Sequence, residues 1–170
     1  MEEIRKLNIN DIDAFRSIRI KGLKSDPYAF SSSPEDDATR DPEVLKERFG
    51  SHSINNFIMG YFIDEKLIGV VGFVRESHIK RIHIGWIWGM YVDTDHRSKK
   101  FGDKLFAECI KEAEKCDGLE IIELGVAESN DSALSLYKKY GFVEYGKEIH
   151  AIKYDGKYYD EYLMYKKISK

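Results

Sequence analysis

Positive charge is not in surplus: 27 Lys+Arg stand against 30 Asp+Glu in 170 residues, a net charge of −3. The sequence therefore lacks the basic excess on which a dedicated nucleic-acid binder relies, and no nucleic-acid partner is expected. Cysteine is scarce. Cys109 and Cys116 are the only two, too few for a disulfide framework or a four-ligand zinc site, and their spacing suits small core residues on one helix face. The histidines at 52, 78, 83, 96 and 150 show no His-x-x-x-His spacing, so no metal is expected. Long apolar runs are missing too. The longest, Ile82 to Val92, is interrupted by His83 and falls far short of the ~20 residues that span a bilayer. Met1-Glu2-Glu3-Ile4-Arg5 has neither the basic start nor the apolar stretch of a signal peptide. The expectation is a cytoplasmic protein with no membrane partner.

What is present suits one folded domain over residues 1–170: 42% hydrophobic and 34% charged residues, in a chain long enough to bury roughly 70% of its unfolded surface. Pro27, Pro34 and Pro42 fall together with Ser31-Ser32-Ser33 and Glu35-Asp36-Asp37. This marks a loop with at most short helical pieces, and its Tyr28 and Phe30 suggest that it covers a pocket. The acidic run reads either as a solvated loop or as an attractor for a cationic amine.

Elsewhere the apolar period assigns the elements. Ile4 to Leu7 forms a short strand. Asp11 caps a helix through Ile12, Phe15, Ile18 and Leu23, and a second helix starts at Pro42 and runs to Phe49. Strands at 57–63, 67–74 and 82–92 follow, the first two joined by a tight turn at Asp64-Glu65. Phe101, Leu105, Cys109, Ala113 and Cys116 define a helix over 98–116 that stops at Gly118. A strand at 121–126, a helix capped by Asn130 or Asp131 and stopped at Gly141, and a hairpin around Asp155-Gly156 close the chain. The strand–helix–strand unit over 82–126 places its two strands parallel. The fold class is α/β (α+β), with helices on both faces of a mixed sheet.

Chemistry concentrates in Val92-Asp93-Thr94-Asp95-His96-Arg97-Ser98-Lys99-Lys100-Phe101-Gly102-Asp103-Lys104-Leu105. A strand end, a polar turn and a helix start succeed one another there. The first turn of a helix offers unpartnered N–H groups and a positive dipole end. Arg97, Lys99, Lys100 and Lys104 crowd that start against Asp103 alone, where basic residues are otherwise unfavourable, so a phosphate-bearing ligand is indicated. The segment is neither a P-loop nor a dinucleotide fingerprint.

Met90-Tyr91-Val92-Asp93, the turn from Arg97 to Gly102, and Asn130-x-x-Ala133-x-x-Leu136-Tyr137-Lys138-Lys139-Tyr140-Gly141-Phe142 together resemble the GNAT acetyltransferase superfamily. So does Asp160-Glu161-Tyr162-Leu163-Met164, and the likeness runs over residues 55–167. Pro27-Tyr28-Ala29-Phe30-Ser31 resembles the acceptor-side loop of bacterial members.

The resemblance implies a mixed, mostly antiparallel sheet of about seven strands with about four helices. It also implies an N-acetyltransferase that takes acetyl-CoA as co-substrate and delivers the acetyl group to a primary amine, on a small molecule, a polyamine or a peptide. Coenzyme A would lie along Met90, Tyr91 and Val92, with its diphosphate on the amides of Arg97, Ser98, Lys99, Lys100, Phe101, Gly102 and Asp103. Asn130 would hold the pantetheine arm or a water. Tyr137 would be the general acid, or else one more aromatic on the stripe Ala133, Leu136, Tyr137, Tyr140, of which Tyr140 reads as core.

Lys100 stands where the family has the first glycine of its turn. A helical conformation there would still let its N–H face a phosphate. The positions where relatives carry a basic carboxylate are Trp86 and Gly125 here, so no general base is assigned among Glu123, Glu128, Glu35, Glu76, His78, His83 and water. Trp86 and Trp88 share a strand face as core residues or as acceptor-pocket walls. A homodimer stays open, and the rival reading is an acyl-CoA-binding sensor or scaffold without turnover.

Overall fold

Near-continuous apolar runs mark strands that are covered on both faces. β2 (Asn56–Ile63) and β3 (Lys66–Arg75) carry them, and almost every residue of both is buried. In the computed structural model, which describes all residues except 39, 40, 42, 45, 47, 48, 50–52, 169 and 170, these strands lie inside a seven-stranded sheet. Its other strands are β1 (Glu2–Lys6), β4 (Ile84–Val92), β5 (Ile121–Ala127), β6 (Val143–Tyr154) and β7 (Lys157–Lys167), in the order β1-β2-β3-β4-β5-β7-β6. Only β4 and β5 pair in parallel. The hairpin turns at Asp64-Glu65 and Asp155-Gly156 both hold positive φ at their two central residues, the geometry that matches strand twist.

Alternation along β2 splits the core. Phe57, Met59 and Tyr61 point to one face, where α3 (Phe101–Ala113) and α4 (Asp131–Lys139) add Leu105, Phe106, Cys109, Leu134 and Tyr137. Ile58 and Phe62 point to the other, beneath Phe15 and Ile18 of α1 (Ile12–Ser25). Burying each such side chain contributes about 1.5–3 kcal/mol before the entropy of ordering it.

Local expectations fare unevenly. Asp11 precedes α1 but makes no side-chain cap to it; its carboxylate instead accepts the Asn8 N–H at 2.7 Å and two bonds from Arg5, at 2.7 and 2.9 Å. The guanidinium, a stronger donor than a helix amide, wins the contest. The segment over 27–42 holds short helical pieces as expected, a 3₁₀ turn at Pro27–Ala29 and α2 (Pro34–Ala38); the acidic run lies on α2, with Glu35 and Asp36 exposed. Of the expected helix over 42–49, residues 43, 44, 46 and 49 are helical and the rest lie outside the described residues. Cys109 and Cys116 are both buried, the latter beyond the end of α3.

Candidate active site

β4 and β5 are neighbours for only three residue pairs, Ile84–Ile121 to Trp86–Glu123. Beyond them β5 continues against β7 to Ala127, while β4 continues against β3 to Val92. The two strands part because β4 carries an extra residue: Val70 faces Tyr91 but Gly72 already faces Trp88. This is a bulge, with Gly89 at φ +65°. It turns Trp88 and Tyr91 onto the α1 face and Met90 and Val92 toward α3. The gap opens into a cavity of about 510 Å³ between the strand ends, the 96–103 turn and the start of α4.

That turn departs from a simple helix start. α3 begins at Phe101, not at 98, because Ser98 and Lys100 hold left-handed backbone, φ +65° and +62°. The helical conformation expected of Lys100 is therefore corrected: the residue at the glycine position keeps glycine-like geometry. A Cβ on Gly102 would make only ordinary van der Waals contacts, 3.4 Å from Met90 Cε and 3.5 Å from Val92 Cγ2.

Two of the four positive charges at this corner are engaged. Arg97 donates from Nε to the Val92 carbonyl at 3.1 Å and pairs with Asp26 at 2.5 Å; the bond to Asp26 raises its affinity for its proton further. Lys104 reaches Glu2 at 2.8 Å. Asp103 accepts from Lys139 at 2.6 Å and from the Tyr140 hydroxyl at 3.1 Å, and Lys139 chiefly holds its carboxyl below the usual range. Among the described residues Lys99 and Lys100 make no ion pair. Lys100 borders the cavity and Lys99 does not.

Asn130 caps α4, its Oδ1 accepting the Ala133 N–H at 3.2 Å and the Ser132 hydroxyl at 3.1 Å. Seven residues on, Tyr137 is buried against Phe106 and Phe142 and forms part of the cavity wall. Burial pushes its phenol well above the ordinary tyrosine value, so it stays protonated at neutral pH. Tyr140, expected as core, is only half-buried because its hydroxyl is drawn to Asp103.

A second cavity of about 490 Å³ lies on the α1 face. Ala29, Phe30, Ile87, Trp88, Gly89 and Gly125 border both cavities, so the two meet through the gap in the sheet. Within the 27–42 segment, residues 29–32 and 37 do cover a pocket: Phe30 lies beneath the Arg19 guanidinium, and Arg19 pairs with Asp37 at 3.0 Å. Trp86 and Trp88, left open between core and pocket wall, are half-buried and line this cavity, facing Phe15 and Phe30. Glu148 and Glu161 line it as well and face each other in register across β6 and β7.

Sequence reasoning missed both glutamates. Glu161 lies in the quoted block Asp160–Met164, and alternation on β7 puts it on the face of Leu163; what no local signal gives is that β7 inserts beside β5. Its half-buried carboxyl is pushed up by burial and by the charge of Glu148. Of the glutamates weighed earlier, Glu128 is tied to Lys147 and Tyr162, Glu76 to Arg81 and Trp86, and Glu123 borders neither cavity. Among the described residues no group of His, Cys, Asp and Glu could hold a metal, and no helix is long and apolar enough to cross a membrane.

The family model for the acetyltransferase (GNAT) family matches residues 20–142. A spermidine N(1)-acetyltransferase of Vibrio cholerae is 27% identical over 123 residues, 72% of this chain and 71% of that protein. The crystal structure of a GNAT-family acetyltransferase from Streptococcus pneumoniae superposes with a TM-score of 0.86 at 24% identity, over 99% of this chain and 100% of that one. An acetyltransferase structure from Salmonella typhimurium with its cofactor acetyl-CoA gives 0.85 at 19% identity, over 100% and 95%.

Proposed function

The chain belongs to the GNAT acetyltransferase family, and we propose that it moves the acetyl group of acetyl-CoA onto a primary amine by direct attack of the amine on the thioester. The observation that carries this reading is the junction of the two cavities through the gap between β4 and β5. One cavity ends on a helix start, and the other is walled by indoles and carboxylates. A thioester carrier and an amine entering from opposite faces of the sheet meet at that gap. The acetyl-CoA-bound Salmonella neighbour and the spermidine-acetylating Vibrio relative support the pairing.

Each residue then has a task. The amides from Ser98 to Asp103, at the positive end of α3, receive the diphosphate, and the left-handed residues Ser98 and Lys100 shape the main-chain concavity that anions favour. Lys100 adds a charge there. Arg97 holds the turn against Val92 and Asp26. Main-chain N–H groups of Met90 and Val92, which alternate away from β3 past the bulge while Tyr91 pairs with Val70, face the gap where the thioester carbonyl gains negative charge. Asn130, with its oxygen committed to the helix cap, offers its amide N–H groups to the pantetheine arm. Tyr137 gives its proton to the departing thiolate. The acceptor is a cation received between Trp86, Trp88 and the carboxylates of the second cavity. Two buried cysteines without a disulfide suit a reducing cytoplasm.

Thermal shift with coenzyme A, followed by thiol release from acetyl-CoA over an amine panel, tests the reading. Stabilisation and amine-dependent release are expected. Tyr137→Phe is expected to lower release about 100-fold while leaving the coenzyme A shift intact. No stabilisation by coenzyme A overturns the reading, and stabilisation without release for any amine leaves only a carrier-binding protein.

A further inference from the structure

The reaction needs a group to take a proton from the acceptor. An alkylammonium of pKa ~10.4 leaves roughly one molecule in a few thousand neutral at pH 7. Trp86 and Gly125, on the two strands that frame the gap, cannot accept one. We propose that Glu161, reaching from the neighbouring strand β7, is the general base that deprotonates the amine where the two cavities meet. The inference rests on the acetyltransferase reading above.

The carboxylates that border the cavities are few, and most are committed. Asp26 is paired with Arg97, Asp103 with Lys139 and Asp37 with Arg19. Glu148 is exposed. Glu161 is half-buried and, among the described residues, makes no ion pair. Its place is set by register. Glu161 lies opposite Ala127, and Leu163 opposite Gly125, so all four share the face of the second cavity. Because residue 125 has no side chain, the Glu161 carboxylate leans over β5. Its Oε2 lies 3.2 Å from the point a Gly125 Cβ would occupy, and Gly125 borders both cavities. The carboxylate thus stands where a β5 side chain would stand, delivered by the next strand.

Stability alone gives no reason for this arrangement. Glu148 directly faces Glu161 across the β6–β7 ladder, and like charges opposed across a ladder are unfavourable. A half-buried carboxylate so placed has a raised affinity for a proton, which suits a base better than an ion-pair partner. Among the described residues, Glu148 on β6, Arg16 and Arg19 on α1 and Asp37 on α2 line this cavity with Glu161; Glu123 on β5 lies on the same sheet face, and Glu76 holds the Trp86 indole.

In the step, Glu161 takes one proton from the ammonium and passes it to solvent. The neutral amine attacks the thioester carbon, so that a C–N bond forms and the C–S bond breaks. Tyr137 supplies the proton that the sulfur gains, and the second proton lost by the nitrogen restores Tyr137.

The test begins with the unaltered protein, acetyl-CoA and four alkyl amines: spermidine, putrescine, phenethylamine and glycinamide. Thiol release with none of them overturns acetyl transfer itself, and the role of Glu161 with it. Given release, Glu161→Gln is expected to lower kcat for the best alkyl amine about 100-fold or more and to keep the coenzyme A thermal shift. The variant should also lose the fall of kcat/KM at low pH. Aniline, already neutral at pH 7, is expected to lose less than about tenfold. Glu148→Gln removes the facing charge, so the low-pH inflection should move down. An unchanged alkyl-amine rate in Glu161→Gln, or equal losses for aniline and the alkyl amine, overturns the assignment. Should Glu161→Gln fail to fold, the Glu148→Gln profile decides, and an inflection that stays in place overturns it.

Discussion

Lys100 keeps a left-handed backbone at the head of α3, a conformation that costs a residue with a Cβ about 1–2 kcal/mol. Glycine removes that strain but adds about 0.5–1 kcal/mol of unfolded-state freedom. Lys100→Gly should therefore raise stability by up to about 1 kcal/mol, whereas Lys100→Val, with a branched Cβ, should lower it; urea melts of the two variants measure the difference. The gain would come with the loss of a charge at the proposed diphosphate corner, so coenzyme A should bind the glycine variant more weakly. Tyr137 shows how one side chain serves two ends. Its ring fills the gap between Phe106 and Phe142, and the same burial keeps its hydroxyl protonated beside the cavity.

At the junction of β1 and α1, Asp11 is 8% exposed and bound by Arg5 and the Asn8 amide. The Arg5 bond chiefly holds its carboxyl below the ordinary aspartate value. A carboxyl lowered on folding stabilises the protein above the unfolded value near ~4, and that contribution is lost as pH falls through the folded one. Asp11→Asn should cost about 1–3 kcal/mol at pH 7, and the gap from the parent should close in acid; denaturant melts at pH 7 and pH 3 check it. Across the sheet, β3 makes room for an indole. A Cβ on Gly72 would fall 2.2 Å from Trp88 Cε2. Gly72→Ala should therefore displace Trp88, destabilise by about 1–3 kcal/mol and raise KM for the amine more than for acetyl-CoA, as steady-state kinetics would show.

The whole molecule is a sheet split by one bulge and one parallel pairing, with its helices divided between the two faces. A carrier bound in that cleft as proposed touches both halves, so binding should stabilise the fold as a unit. At 100 times its Kd, coenzyme A should add about 2.7 kcal/mol, or roughly 5–10 °C in Tm for a domain of this size, read by calorimetry. A rise confined to a local probe, with the main transition unmoved, would mean that the carrier does not bridge the two halves.

Apolar period, turn residues and helix stops lie close together in sequence, and they determined the elements: the strands, the two later helices apart from the true start of α3, both hairpin turns and the parallel β4–β5 unit. The same local signals marked the corner proposed to receive the diphosphate, and Tyr137 beside it, because a strand end and helix starts are each written within a few residues. They could not supply the left-handed turn at Lys100, the side-chain contest at Asp11 or the two glutamates of the second cavity. Only the tertiary structure decided these. Strand order sets Glu161 beside Gly125, and α1 folds over the two indoles; pairings between residues far apart in the chain leave no trace in any one stretch of it.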